Sequence, residues 1–289
     1  MLTIKILFAK FLSIKEKYVD DTTLDRYVQT FRDIDQVLEL EDKLIITSEQ
    51  AYQYLGSLHK RNDISADTKK RRLHILNQAY HWFIQENYLS QNPFDGLDKL
   101  IKLPKRPPPS PFTVTEIGMI INYFQSVNRH YAGLIKFLFW TGCRPGEALV
   151  LTWDKYDWQE NLLLIDTQIG CGKVAKPAKC GKYRYLSLNE KVIDVLREQK
   201  NSTSNLIFPN TKGEIIHEKS FSRYHWRGCF DCICIPYRSL RFTRHTFISH
   251  LIRKGIDPVT IAKFTGHSPK VLFEHYAGLF EQPVLPTIE

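Results

Sequence analysis

Cysteine, long apolar runs and nucleotide-binding glycine loops are scarce or missing in this 289-residue chain. Six irregularly placed cysteines do not build a secreted disulfide scaffold. The apolar N-terminus is cut by Lys10 before it reaches signal-peptide length, and the most apolar window, Leu134 to Trp140, contains Lys136. That window is far too short to span a bilayer, so the sequence predicts a reducing, cytoplasmic setting and no membrane partner. There is no G-x-x-x-x-G-K-[ST] loop. Gly170-Cys171-Gly172-Lys173 shares its letters but not its spacing. There is also no H-E-x-x-H and no zinc spacing. Cys229, Cys232 and Cys234 lack a second half and read as free thiols. No internal repeat is present.

What the chain does have is basic charge. Lys and Arg number 40 against 31 Asp and Glu, a net +9, and residues 111–289 hold +7 of it with 23 basic and 16 acidic groups. Such an excess points to a polyanionic partner. A hydrophobic fraction of 43% with 25% charge is that of a globular protein, and the length suits two domains, each with its own core.

The boundary falls at residues 103–111, where five of nine residues are proline and the run forms a semi-rigid spacer. Lys105 and Arg106 make it a basic strap suited to a phosphate backbone, or a solvated linker. Residues 1–102 read as four or five helices: Ile4 to Tyr18, Thr22 to Leu38, one capped by Thr47 or Ser48, and one starting near Ser65 or Asp67. The last carries Lys69, Lys70, Arg71 and Arg72 in its first turns. These four are candidate phosphate contacts.

Residues 112–289 mix periods. Thr115 to Phe124 and Tyr131 to Trp140 read as helices, and Thr141 to Ala148 is a sharp break with a proline-started turn. Leu162 to Ile165 and Tyr183 to Leu188 read as strands around a Gly- and Lys-rich stretch. The chain is helical again from Glu190. The expected fold is therefore mainly α with a small antiparallel β-sheet in the second domain, an α+β protein.

An ordered set of polar residues runs through this second part: Arg144 in T-G-C-R-P-G-E, a Lys-rich hairpin, Arg244-His245-Thr246-Phe247, Gly266-His267, and Tyr276 nine residues on. Each element alone is weak, but the order and spacing together are specific. They resemble the tyrosine recombinases of the phage-integrase family over almost the whole chain. TGCRPGEALVLTWDKYD is similar to the first arginine box, RFTRHTFISHLIRKGIDPVTIAKFTGH to the second, and VLFEHYAGL to the nucleophile segment. The helical part and Pro-rich linker resemble the family's core-DNA-binding domain.

That resemblance implies a two-domain DNA clamp, of Xer-like or transposon-resolving type, that cuts and rejoins strands through a 3′-phosphotyrosyl bond. It implies Arg144 and Arg244 as phosphate clamps, His267 as the second-box histidine, Tyr276 as nucleophile and Glu147 as a supporting acid. Lys179, in Lys179-Cys-Gly-Lys182-Tyr-Arg184, is the implied general acid, with Lys182 second choice and a DNA contact. Double-stranded DNA is the implied partner, bound by a dimer per site and a homotetramer on two sites. No metal or cofactor is implied.

One position departs from the pattern. Where the family has H-x-x-R, this chain has Arg241-Phe-Thr-Arg244. Arg241 donates hydrogen bonds to a phosphate oxygen but cannot shuttle a proton at neutral pH. His245 points in another direction from Arg244 on a helix and is not taken as a substitute. Chemically, two forked guanidiniums neutralise a phosphodiester and its pentavalent transition state. A phenol of reference pKa near ~10 needs help to attack at neutral pH, and His267 is the expected helper. Two alternatives share these residues: a type IB topoisomerase, and a DNA-binding accessory protein whose site has decayed.

Overall fold

A computed structural model describes residues 2–104, 110–170, 173–177, 183–200 and 204–279. The chain divides into two compact units, 1–106 and 107–289.

In the first unit, α1 (Ile4–Lys15), α2 (Asp21–Leu38), α3 (Ser48–Lys60) and α4 (Ala66–Gln85) each start at a side-chain cap. Thr3, Asp20, Thr47 and Ser65 accept from the first-turn amides, satisfying donors that a helix start leaves open. Thr47 and Gln50 close a reciprocal capping box. The core is aromatic: Phe8 stacks on Phe31 at 4.1 Å between ring centres, and Phe11, Tyr80 and Phe83 pack around them. Each such side chain contributes about 1.5–3 kcal/mol by leaving water. Asp33 of α2 is a buried carboxylate held by three partners. Tyr54 donates at 2.7 Å, and Arg61 and Arg72 lie at 2.5 and 2.6 Å.

The second unit opens with α5 (Val114–Val127), boxed by Thr113 and Glu116, and α6 (Arg129–Thr141). After α7 (Pro145–Ala148) comes an antiparallel three-stranded sheet in the order β1 (Tyr156–Asp157), β2 (Leu162–Ile165), β5 (Arg184–Ser187). Leu163 pairs with Leu186, and alternation sends Leu163, Ile165 and Leu186 into the core. A separate antiparallel hairpin, β3 (Thr167–Gly170) with β4 (Lys173–Pro177), is inserted between β2 and β5. The sequence predicts a Lys-rich hairpin in this region but not the bounds of these two strands.

Helix α8 (Glu190–Gln199) packs on α6. Helices α9 (Glu218–Phe221) and α10 (Arg227–Ile233) are joined without a break by a π-helical turn at Ser222–Trp226. The fully buried Trp226 anchors that turn and donates to the Arg238 carbonyl at 2.7 Å. The last helices are α11 (Phe242–Arg253), α12 (Pro258–Thr265) and α13 (Pro269–Tyr276). They share a small core of Ile248, Ile252, Ile261, Ala262, Leu272 and Tyr276 beside the main one. The protein is thus mainly helical with a small antiparallel sheet. Among the described residues no helix is long and apolar enough to cross a membrane.

Candidate active site

Box one is set by a chain reversal. Helix α6 ends at Gly142, whose φ of +64° is the left-handed region that glycine adopts without strain. A Cβ there would meet the Phe247 ring at 2.3 Å, so only glycine fits. Pro145 then starts α7, leaving Arg144 as its N-cap with the side chain free to fold back. The Arg144 amide donates to Glu147 Oε2 at 2.9 Å, and its Nη1 donates to Oε1 at 2.7 Å.

Glu147 is 1% exposed. Its second partner is Arg184 of β5, with Nη2 to Oε2 at 2.7 Å and Nη1 to Oε1 at 3.2 Å. Burial by itself would raise the carboxyl. The hydrogen bonds and charge of Arg184, joined by Arg144, outweigh it and hold the pKa at about 2. Arg184 also donates from Nε to the Phe264 carbonyl at 2.9 Å, tying the sheet to the end of α12.

Box two lies on α11. Arg244 is 6% exposed and spreads its fork between two carbonyls, Gly142 at 2.9 Å through Nη1 and Thr265 through Nη2. Burial, then the charge of Arg144, push its pKa down to about 9, which leaves it a cation at neutral pH. Its Nη2 lies 3.1 Å from Nδ1 and 3.2 Å from Nε2 of His267, which follows the Gly266 cap of α12. Burial and the charges of Arg244 and Arg144 push His267 to about 3, so this imidazole is neutral.

Tyr276 ends α13 at 2% exposure, and burial raises its phenol to about 12 despite the lowering field of Arg244. Its hydroxyl is hydrogen-bonded to Nδ1 of His245. Arg144, Arg241, Arg244, His245, His267 and Tyr276 all line one cleft of about 300 Å³, closed on one side by Gln168 and Ile169 of β3. Gly146 allows that approach, since a Cβ on it would lie 3.2 Å from the Ile169 carbonyl oxygen. Arg241 is exposed at the start of α11. It also lines an adjoining cleft of about 630 Å³ with Arg223 and Arg227 of the α9–α10 segment.

The expected residues do not all fall together. Arg144, Glu147, Arg241, Arg244, His267 and Tyr276 do. Lys105, Arg106, Lys179 and Lys182 lie outside the described residues, as does the tail beyond Leu279. In the first unit, Arg71 is exposed while Lys69 and Lys70 are half-buried, Lys69 donating to the His59 carbonyl at 3.3 Å. Arg72 corrects the expectation of a phosphate contact. It is 8% exposed and committed to Asp33, because the fourth of four consecutive basic residues faces the core.

Two residues were missed from the sequence. Arg184 was read only as the context of the hairpin lysines. His245 points away from Arg244 around the helix, as the sequence predicts. The unrecognised fact is that Tyr276 arrives from that other side, so His245 and not His267 meets the phenol.

Residues 111–282 match the phage integrase family, to which the chain belongs. It is a tyrosine recombinase, a class of enzyme that breaks and rejoins DNA. The XerC recombinase of Anoxybacillus flavithermus is 22% identical over 277 residues, 91% of this chain and 88% of that protein. IntQ of Escherichia coli strain K12, whose name marks it as defective, is 24% identical over 95% of this chain and 79% of its own length. In fold, the chain is similar to the Tn1549 transposon integrase in complex with a circular intermediate DNA. The TM-score is 0.82 at 18% identity, covering 96% of this chain and 95% of that one. The lambda integrase tetramer bound to a Holliday junction scores 0.73 at 16% identity, covering 93% and 78%.

Proposed function

We propose that this protein is a site-specific recombinase that cuts and rejoins DNA through a 3′-phosphotyrosyl bond at Tyr276. The observation that carries the reading is the convergence of Arg144, Arg244, His267 and Tyr276 on one cleft. A scissile phosphate in that cleft meets two guanidiniums, one of them fixed by two backbone carbonyls before substrate arrives. Such preorganised donors stabilise charge that grows on the non-bridging oxygens as the phosphorus becomes five-coordinate. Neutral His267 adds a hydrogen bond to the same oxygens, and Arg241 a further charge at the mouth. The phenol of Tyr276 attacks, and Lys179, which follows β4 in the sequence, protonates the departing 5′-oxygen. Arginine does the neutralising, so the step calls for no metal, and the phosphotyrosine keeps the bond energy, so it calls for no ATP.

The wider assembly follows from the relatives. Two of them are integrases on DNA, one a tetramer on a Holliday junction. By analogy this chain acts in the cytoplasm, at the nucleoid, as a two-domain clamp: dimer per site, tetramer on two duplexes. Lys69, Lys70 and Arg71 of residues 1–102, Lys105 and Arg106 of the 103–111 linker, and Lys182 of the 112–289 catalytic domain supply phosphate contacts. The reaction proposed is integration, excision or resolution of mobile DNA or replicon dimers. The likeness to IntQ raises the decayed reading, and the intact Arg144, Arg244, His267 and Tyr276 oppose it.

A nicked suicide substrate tests the proposal. The parent protein is expected to form a covalent adduct, and Tyr276→Phe to bind the site but form none. Strand exchange between two duplexes then separates recombinase from topoisomerase. An adduct on Tyr276→Phe, or none on the parent, overturns it.

A further inference from the structure

Attack by Tyr276 requires a destination for the phenolic proton. Burial holds Tyr276 well above its ordinary value, so the proton does not leave unaided. Arg241 occupies the position where a histidine is expected, and a guanidinium has no lone pair to offer. Neutral His267 has a single ring lone pair, and it faces Nη2 of Arg244, leaving the ring N–H for the phosphate. That leaves the group already in contact with the hydroxyl.

We propose that His245 is the catalytic base of this site, taking the Tyr276 proton during cleavage and returning it during rejoining. This rests on Tyr276 being the nucleophile. His245 lies in the first turn of α11, one residue past Arg244, so the two side chains diverge by roughly a hundred degrees about the helix. Arg244 turns to the Gly142 and Thr265 carbonyls, and His245 turns to α13. The imidazole is steadied from its own helix by Phe242, ring centre 5.3 Å away, and lies 5.8 Å from the Tyr276 ring at 37°. Its Nδ1 contacts the phenolic oxygen. In the tautomer with the proton on Nε2, Nδ1 carries the lone pair that the hydroxyl donates to.

The step balances. The O–H bond of Tyr276 breaks and its proton passes to Nδ1, giving an imidazolium. The phenolic oxygen bonds to phosphorus as the bond from phosphorus to the 5′-oxygen breaks. That oxygen takes its proton from the acid assigned above to Lys179. In rejoining, the 5′-hydroxyl attacks, its proton returns to the acid, and the imidazolium reprotonates the departing phenolate. Arg244, adjacent in sequence, stays fixed on its carbonyls throughout, so one turn of α11 serves both the phosphate and the nucleophile.

The test compares adduct rates on the nicked substrate for parent, His245→Ala and His245→Gln, each with tyrosine or 3,5-difluorotyrosine at position 276. Site binding is measured in parallel to verify folding. The base role predicts a loss of about 10²-fold or more in both variants. His245→Gln keeps a hydrogen-bonding partner but accepts no proton, so it carries the test if His245→Ala fails to bind DNA. The fluorinated phenol is a much stronger acid than tyrosine, needs less help to lose its proton, and should recover most of the loss in either variant. A parent-like rate in His245→Gln overturns the proposal, as does a loss that the fluorinated phenol leaves untouched. Adducts on Tyr276→Phe would instead sink the nucleophile assignment beneath it.

Discussion

Arg184 grips Glu147 through both guanidinium nitrogens, at 2.7 and 3.2 Å, although the two residues belong to different elements 37 positions apart. The contact is what lets a carboxylate sit buried behind Arg144. Removing one partner of a buried pair strands the other charge, at a cost of about 3–5 kcal/mol. Arg184→Ala is therefore expected to lower the melting temperature and to cut cleavage, because Arg144 loses its fixed support. Arg184→Lys restores charge without the fork, and should recover stability only in part. Thermal melts and single-turnover cleavage on the two variants check this, and an unchanged melt in Arg184→Ala would defeat it.

The arginines of the cleft should not be equivalent. Arg144→Ala and Arg244→Ala are each expected to lose at least ~10²-fold in cleavage, the scale of removing a preorganised donor. Arg244→Lys should fare little better, since an ammonium cannot bridge the Gly142 and Thr265 carbonyls and still face substrate. Exposed Arg241 is the tolerant position, and Arg241→His is expected to remain active. A dead Arg241→His enzyme would mean the site depends on the guanidinium there.

Of the candidate lysines, Lys179→Ala is expected to harm cleavage more than Lys182→Ala. A substrate with sulfur at the 5′-bridging position should rescue it, because a thiolate leaves without a proton. Rescue of Lys182→Ala, or of a Lys173 or Lys176 variant, would move the acid to that lysine instead.

Acid should weaken the second unit in a defined window. His267 is held at about 3, well below the ordinary histidine value, so the unfolded chain binds a proton there that the folded one refuses. Its contribution is complete above pH ~6.5 and is lost as pH falls toward about 3. Half-buried His225 and His250 shift the same way, through desolvation. Glu147, held at about 2, adds to the loss only below the ordinary carboxylate range. The melting temperature should therefore fall between pH 7 and 5, and fall less in His267→Asn. Each kcal/mol is worth about 2–4 °C in a domain of this size. Equal slopes for parent and variant would contradict the assignment.

The sequence after Tyr276 is apolar, with Leu279, Phe280, Val284, Leu285 and Ile288, while Pro283 and Pro286 oppose a long helix. Deleting residues 279–289 is expected to spare binding to a single site but weaken cooperative filling of paired sites and strand exchange. Unchanged recombination by the truncated chain would remove the tail from assembly.

Much of this was readable beforehand, for local reasons. Thr47 and Ser65 mark helix starts because a side-chain oxygen beside open amides is a short-range signal. A Lys-rich hairpin was expected, but the bounds of β3 and β4 were not readable, since Thr167 to Pro177 has neither clean alternation nor a tight two-residue turn signal. Which of four basic residues turns inward on α4 depends on Asp33, a residue of another helix. His245 shows the same limit at the active site. Helical geometry gave its direction correctly, but only the packing of α13 put a phenol there.

Gly142 touches both arginine boxes at once: its carbonyl accepts from Arg244, and the space its missing side chain leaves is filled by Phe247, distant in the chain but adjacent in space. The loop that presents Arg144 and the helix that presents Arg244 and His245 therefore cannot loosen separately. Heat should take the catalytic centre apart in a single cooperative event, with loss of cleavage coinciding with loss of tertiary structure in this unit. A half-built site with one arginine box ordered and the other adrift has no stable packing to rest in.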